Sequence, residues 1–170
     1  MQHKNEVIKS YLAAIIFGIA AILLDQVTKR LAVTQLKGKD SIVLIPNVFE
    51  LHYLENRGAA FGLFQNRQFL FLAGALIVLI VVGWLYGRMP HTARFYGLRV
   101  CAVLVCAGAA GNMIDRVSQN YVVDFFYFSF IDFPIFNVAD CYVVAACILF
   151  AILILFYYKD EDFSWLSSHK

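Results

Sequence analysis

The sequence predicts an all-α membrane protein: four transmembrane helices with a small β-structure in the first long loop. Two observations carry that class. Of the 170 residues, 61% are hydrophobic and 15% charged, and mean hydropathy is +0.70. So few polar residues do not cover a water-facing surface, and the same apolar excess excludes disorder. Four segments also reach the roughly 20 apolar residues that a helix needs to cross a bilayer core. A net charge of +2, without a basic stripe or a run of like charges, offers nucleic acid no footprint.

The chain is expected to form one integral membrane domain over 1–170, with spans near 10–28, 68–87, 95–114 and 140–158. Lys4 and Lys9 precede an apolar run that could pass for a signal peptide. No small-residue cleavage step follows, and the run continues into Asp25-Gln26-Val27-Thr28-Lys29, so it stays as the first span. Next comes a region at 41–56 rich in β-branched and aromatic residues, broken by Pro46-Asn47. That pattern predicts a hairpin or curved sheet with an apolar side resting on the membrane surface. Asn56-Arg57-Gly58-Ala59-Ala60-Phe61 then makes a glycine-marked turn into the second span.

The second span carries no charge, and the third has Arg99 near its start, where a long side chain is expected to snorkel to the headgroups. Gly108-Ala109-Ala110-Gly111 predicts close helix packing through small residues. The fourth span opens at Asp140 and ends in Phe156-Tyr157-Tyr158-Lys159, an aromatic belt followed by a cation. Cys101, Cys106, Cys141 and Cys147 all lie in apolar runs without metal-binding spacing, and are expected to be small buried hydrophobes.

Orientation rests on a narrow margin of Lys and Arg. The termini and the 87–94 loop hold six, and the 25–68 loop also holds six. The short 87–94 loop, with Arg88 and Arg94 and no acid, breaks the tie and puts both termini in the cytoplasm. Independently of that choice, an even number of spans gathers Asp25, Asn56, Arg57, Asn112, Asp115, Arg116, Asp124, Asn137 and Asp140 at one membrane face.

Ionisable groups at membrane depth are costly and mark function unless they meet water. Asp25 and Lys29, four apart on one helix, form either an interfacial ion pair or part of a site. Asn112, Asp115 and Arg116 share a helix face and suit a supporting role. Asp124, within a β-branched and aromatic stretch, has no local partner. Asp140 is either a plain helix cap beside Asn137 or something more.

The sharper reading pairs Asp124 with Asp140. Two carboxyl groups in close contact resist ionising together, hold one proton at neutral pH and can hydrolyse an amide. No metal is expected: His3, His52, His91 and His169 are scattered, HExxH is missing, and chelators should leave activity unchanged. Neither GxSxG nor a phosphate loop occurs. Two other classes stay open, a proton-coupled transporter and a non-catalytic scaffold that binds lipidated proteins.

Asp25-Gln-Val-Thr-Lys29, Asn56-Arg-Gly-Ala-Ala-Phe61, Gly111-Asn-Met-Ile-Asp-Arg116 with Val122-Val-Asp-Phe125, and Phe133-Pro-Ile-Phe-Asn-Val-Ala-Asp140 together resemble the lipoprotein signal peptidases (signal peptidase II) from the first span to the last. The resemblance implies an aspartyl endopeptidase with Asp124 and Asp140 as its catalytic pair. Asp25, Asn56, Gly58, Asn112, Asp115, Arg116 and Asn137 would support the pair or hold substrate.

By the same resemblance the first loop would form an extracytoplasmic β-cradle with a short amphipathic segment beside it. The substrate would be a diacylglyceryl-modified bacterial prolipoprotein, cut on the amino side of its lipidated cysteine. The enzyme would be a cofactor-free monomer among the lipids of the cytoplasmic (inner) membrane, with its active site near the extracytoplasmic face, and globomycin-type peptides would inhibit it. The chain departs from the family in lacking the usual glycine after Asp115-Arg116. Its Asn120 tolerates the same left-handed backbone.

Overall fold

The computed structural model describes residues 2–58 and 67–167. Helix α1 runs over Gln2–Leu36, α2 over Gln68–Arg88, α3 over Tyr96–Gln119 and α4 over Val138–Phe156. Each contains a stretch long and apolar enough to cross a membrane. Their outer faces carry exposed large apolar residues such as Ile16, Leu23, Ile77, Ile80, Ile148 and Leu155, which suits lipid rather than water. The chain is a multi-pass membrane protein.

Strand β1 (Ile42–Ile45) and strand β2 (Phe49–Asn56) form an antiparallel hairpin, and Asn47 turns the chain at φ 59°. Strand β3 (Val122–Tyr127) pairs with β2, completing a three-stranded sheet in the order β1-β2-β3. All four residues of β1 are exposed, the apolar surface anticipated for this loop. Of the turn that follows β2, Ala59 to Phe61 lie outside the described residues. The last helix, α5 (Ser164–Ser167), sits near the opposite end of the bundle.

Three details depart from the sequence reading. Helix α1 continues without a break past Lys29 to Leu36, so that its last turns pack Ala32 and Leu36 against Val123 and Phe125 of β3. Arg99 does not snorkel: it is buried, donates to the Met89 carbonyl at 2.6 Å and to Ser10 Oγ at 3.2 Å, and stacks over the Tyr86 ring. Among the cysteines only Cys101 is buried, and Cys147 is exposed.

The contact of α3 with α4 positions everything that follows. A Cβ added at Gly108 would lie 2.6 Å from the Ala139 carbonyl oxygen, and one at Gly111 would lie 2.6 Å from Asp25 Oδ2. Only glycine allows this approach, so the start of α4 lies directly on α3. Gly108→Ala should therefore force the two helices apart, costing about 1–3 kcal/mol of stability and, because Asn112 lies one turn along, most of the activity. Thermal unfolding of the purified variant checks the first effect and a cleavage assay the second.

Helix α3 stops at Asn120, whose backbone is left-handed at φ 63° and ψ 16° and whose N–H donates to the Arg116 carbonyl. A glycine is not required at that end. The chain then enters β3 directly.

Candidate active site

Strand β3 brings Asp124 to the sheet's buried end. Asp124 pairs in register with Leu54, and Asn56, two residues on, lies on the same face of β2. The Asn56 amide donates to Asp124 Oδ2 at 2.8 Å. Its orientation is fixed from the other side, where its Oδ1 accepts the Gly58 N–H at 2.9 Å.

After β3 the chain folds back on itself. The Phe125 and Phe126 N–H groups both donate to the Phe136 carbonyl, and Phe136 N–H returns a bond to Phe126. This clasp delivers Asn137 and the start of α4 to Asp124. Asn137 is fully buried; its Nδ2 donates to Asp124 Oδ1 at 2.6 Å and to Asn112 Oδ1 at 3.1 Å.

Asn137 also caps α4. Its Oδ1 accepts the Asp140 N–H and Asp140 Oδ2 accepts the Asn137 N–H, both at 3.0 Å, in a reciprocal capping box. Asp140 thus has the capping role considered for it, and more. Its other oxygen accepts from Asn112 Nδ2 at 2.9 Å, and its side chain lines the same cavity as Asp124.

Behind this pair lies a buried charged cluster. Lys29 Nζ reaches Asp25 Oδ2 at 2.9 Å, Asp115 Oδ2 at 3.0 Å and Asn112 Oδ1 at 2.9 Å. Asp25 and Lys29 are 0% and 3% exposed, so the pair is enclosed rather than interfacial. Asp25 Oδ1 accepts the Ala139 N–H at 3.0 Å, satisfying a free donor in the first turn of α4. Asp115 Oδ2 accepts the Val123 N–H, and Gln26 Nε2 donates to Asp115 Oδ1. One cluster therefore ties α1, α3, α4 and β3 together.

A cavity of about 680 Å³ opens beside the two carboxyl groups. Its walls are largely apolar, with Phe128, Phe133, Ile135 and Val144 among them. Arg116 lines it too, its guanidinium 4.7 Å from the centre of the Phe71 ring. Two acids at one end of an apolar pocket suit an acyl chain or apolar peptide whose polar bond reaches the acids.

Asp124 is 2% exposed. Burial, helped by the charge of Asp140, pushes its carboxyl up to about 7, against the opposing bonds from Asn56 and Asn137. A raised value means that the folded protein holds this proton more tightly than the unfolded chain. The associated stability is complete below the unfolded value of 3.8 and is lost as pH rises through about 7. Asp124→Asn lacks that titration, so its melting temperature should gain on wild type from pH 4 to pH 8; a constant gap would contradict the assignment.

Asp25, Asn56, Gly58, Asn112, Asp115, Arg116 and Asn137 fall around these carboxyl groups or in the cluster behind them, whereas Arg57, gathered at the same face by the sequence, turns to Glu55 at 3.4 Å and lies over the Tyr121 ring. Lys29 and Gln26 were not singled out as site residues. Their signal was helical spacing, since positions 25, 26 and 29 share one face with 22 and 33. Among the described residues no group of three or more His, Cys, Asp or Glu side chains is placed to hold a metal ion.

Comparison with known proteins points the same way. The family model described as signal peptidase (SPase) II matches residues 17–156. The lipoprotein signal peptidase of Clostridium tetani is 41% identical over 152 residues, covering 88% of this chain and 94% of the relative. That of Symbiobacterium thermophilum is 44% identical over 145 residues, covering 84% and 94%. A bacterial membrane enzyme solved by the in meso method superimposes with a TM-score of 0.74 at 31% identity, covering 93% of each chain. A second such enzyme gives 0.72 at 32%, covering 86% of this chain and 94% of its own.

Proposed function

The chain belongs to the signal peptidase II family, proteases that remove signal peptides from prolipoproteins, and we propose that it does so as an aspartic endopeptidase whose catalytic groups are Asp124 and Asp140. The observation that carries this reading is the pair of carboxyl groups, one buried and one half-buried, held by amides and lining one largely apolar cavity.

The pair shares one proton. The ionised member takes a proton from water, whose oxygen attacks the scissile carbonyl carbon, while the protonated member donates a hydrogen bond to the carbonyl oxygen. Collapse of the tetrahedral intermediate breaks the C–N bond as a proton passes to the leaving amine. Asn56, Asn112 and Asn137 hold the carboxyl groups for these roles. Gly58 and Arg116 line the cavity where substrate lies, and Asp25 and Asp115 hold the helices.

The substrate is a prolipoprotein carrying diacylglycerol on its cysteine, cut on the amino side of that residue. An anchored substrate diffuses in the plane of the bilayer and enters between helices, with its acyl chains along the apolar wall. This fits a site at the helix ends, placed near the extracytoplasmic face of the cytoplasmic membrane with both termini inside. Globomycin-type peptides would fill the same cavity.

Presenting the protein in lipid with the same prolipoprotein before and after diacylglyceryl transfer tests the substrate. Cleavage of the modified form alone, leaving a new amino-terminal lipidated cysteine, is expected. Equal cleavage of both forms would overturn the lipid requirement.

A further inference from the structure

Asp124 and Asp140 do not receive equivalent hydrogen bonds. Among the described residues, Asp124 accepts from the neutral amides of Asn56 and Asn137. Asp140 accepts the backbone N–H of Asn137 at the positive end of the α4 dipole, and accepts from Asn112 Nδ2. The Asn112 amide is itself polarised, because its Oδ1 takes a hydrogen bond from the ammonium of Lys29 at 2.9 Å. A cation bound to the oxygen side makes the opposite N–H a stronger donor.

We propose that Lys29, acting through Asn112, fixes the negative charge on Asp140 and leaves the shared proton on Asp124. This rests on the dyad reading and assigns its two roles: Asp140 is the base that takes the proton from water, and Asp124 is the acid that faces the scissile carbonyl. Lys29 is a positioning residue, since its hydrogen bonds reach the reacting groups through Asn112 while its charge is felt by both carboxyl groups and by itself does not choose between them. Its ammonium also orients the amide, for a flipped Asn112 would set an NH₂ group against Lys29 and an oxygen against Asp140.

The other charges around the pair work against this assignment, so the hydrogen-bond relay has to outweigh them. From α1 come Asp25 and Lys29, and from α3 Asp115 and Arg116. Asp25 and Asp115 are each bound to Lys29, but the Asp25 charge still bears on Asp140, and the Arg116 guanidinium acts on Asp124 more than on Asp140. Strand β2 contributes the uncharged Asn56. The upward displacement of Asp124 to about 7 agrees with its keeping the proton.

Infrared spectroscopy of the protein in lipid reads the proton directly, without turnover. At pH 6 wild type should show the carbonyl stretch of a protonated carboxyl group; Asp124→Asn should lose it and Asp140→Asn should keep it. The reverse pattern would overturn the assignment. The part of Lys29 is read from the pH profile of kcat/KM. Lys29→Met should move the acidic limb upward by about one pH unit, while KM changes less than about twofold.

Asn112→Ser breaks the relay but leaves Lys29 with Asp25 and Asp115, and should move the limb in the same direction should Lys29→Met fail to fold. An unmoved limb would overturn the role of Lys29. Failure of the dyad reading would look different, as retained cleavage in Asp124→Asn.

Discussion

Asp124→Asn and Asp140→Asn should each lower the rate of prolipoprotein cleavage by about 10³-fold or more while the protein stays folded, since each role in the pair needs a carboxyl group that gains or loses a proton. Asparagine keeps the shape and the acceptor oxygen but cannot titrate. At position 124 it still accepts from Asn56 or Asn137, and at position 140 its oxygen still accepts the Asn137 N–H and completes the cap. Binding of substrate should survive in both variants. Initial rates with a lipid-modified substrate, beside thermal unfolding of the same samples, separate loss of chemistry from loss of fold. Residual turnover within tenfold of wild type in either variant would remove that residue from the mechanism.

The second large effect concerns stability. Asp25→Ala should destabilise the protein by about 3–5 kcal/mol, the usual cost of leaving one partner of a buried ion pair behind. Lys29 would keep Asp115 as its only carboxylate, and the Ala139 N–H would lose its acceptor in a place that water does not reach. Asp25→Asn keeps an oxygen for that N–H and should lose less. Unfolding in detergent or lipid nanodiscs orders the three proteins: wild type, then Asn, then Ala. Wild-type stability in the alanine variant would mean that the cluster does not hold the helices.

Much of this was legible in the sequence because membrane burial is a composition-level signal. Four apolar runs, a β-branched loop broken by Pro46-Asn47 and a polar set at one membrane face were readable without coordinates. The pairing of Asp124 with Asp140 was readable as chemistry, sixteen positions apart, and the family resemblance singled out the same two residues. How they meet was not. The Phe136 clasp on β3 uses backbone groups, which carry no residue-level signature, and it sets Asn137 between the two acids.

Spacing left Lys29 open, as half of an interfacial ion pair or as part of a site, and Arg99 was expected to snorkel, because a cation in an apolar span is normally reckoned by its distance to water. Each is instead enclosed by partners from other helices: Asp115 and Asn112 for Lys29, and Ser10 for Arg99, which also bonds the Met89 carbonyl. Helical spacing puts Lys29 on the face of Asp25, but it does not name a partner on another helix. Asn120 shows the converse, a local rule that sufficed: a residue that tolerates positive φ stands where the helix end needs one.

The central claim is that this protein cuts prolipoproteins by means of Asp124 and Asp140. Its most direct test is the mass of the peptide released when purified protein is mixed in lipid with a diacylglyceryl-modified prolipoprotein. Wild type should release one peptide ending at the residue before the lipidated cysteine, and neither asparagine variant should release it. Release by either variant at the wild-type rate, or binding of the substrate by wild type without any release, would contradict the account.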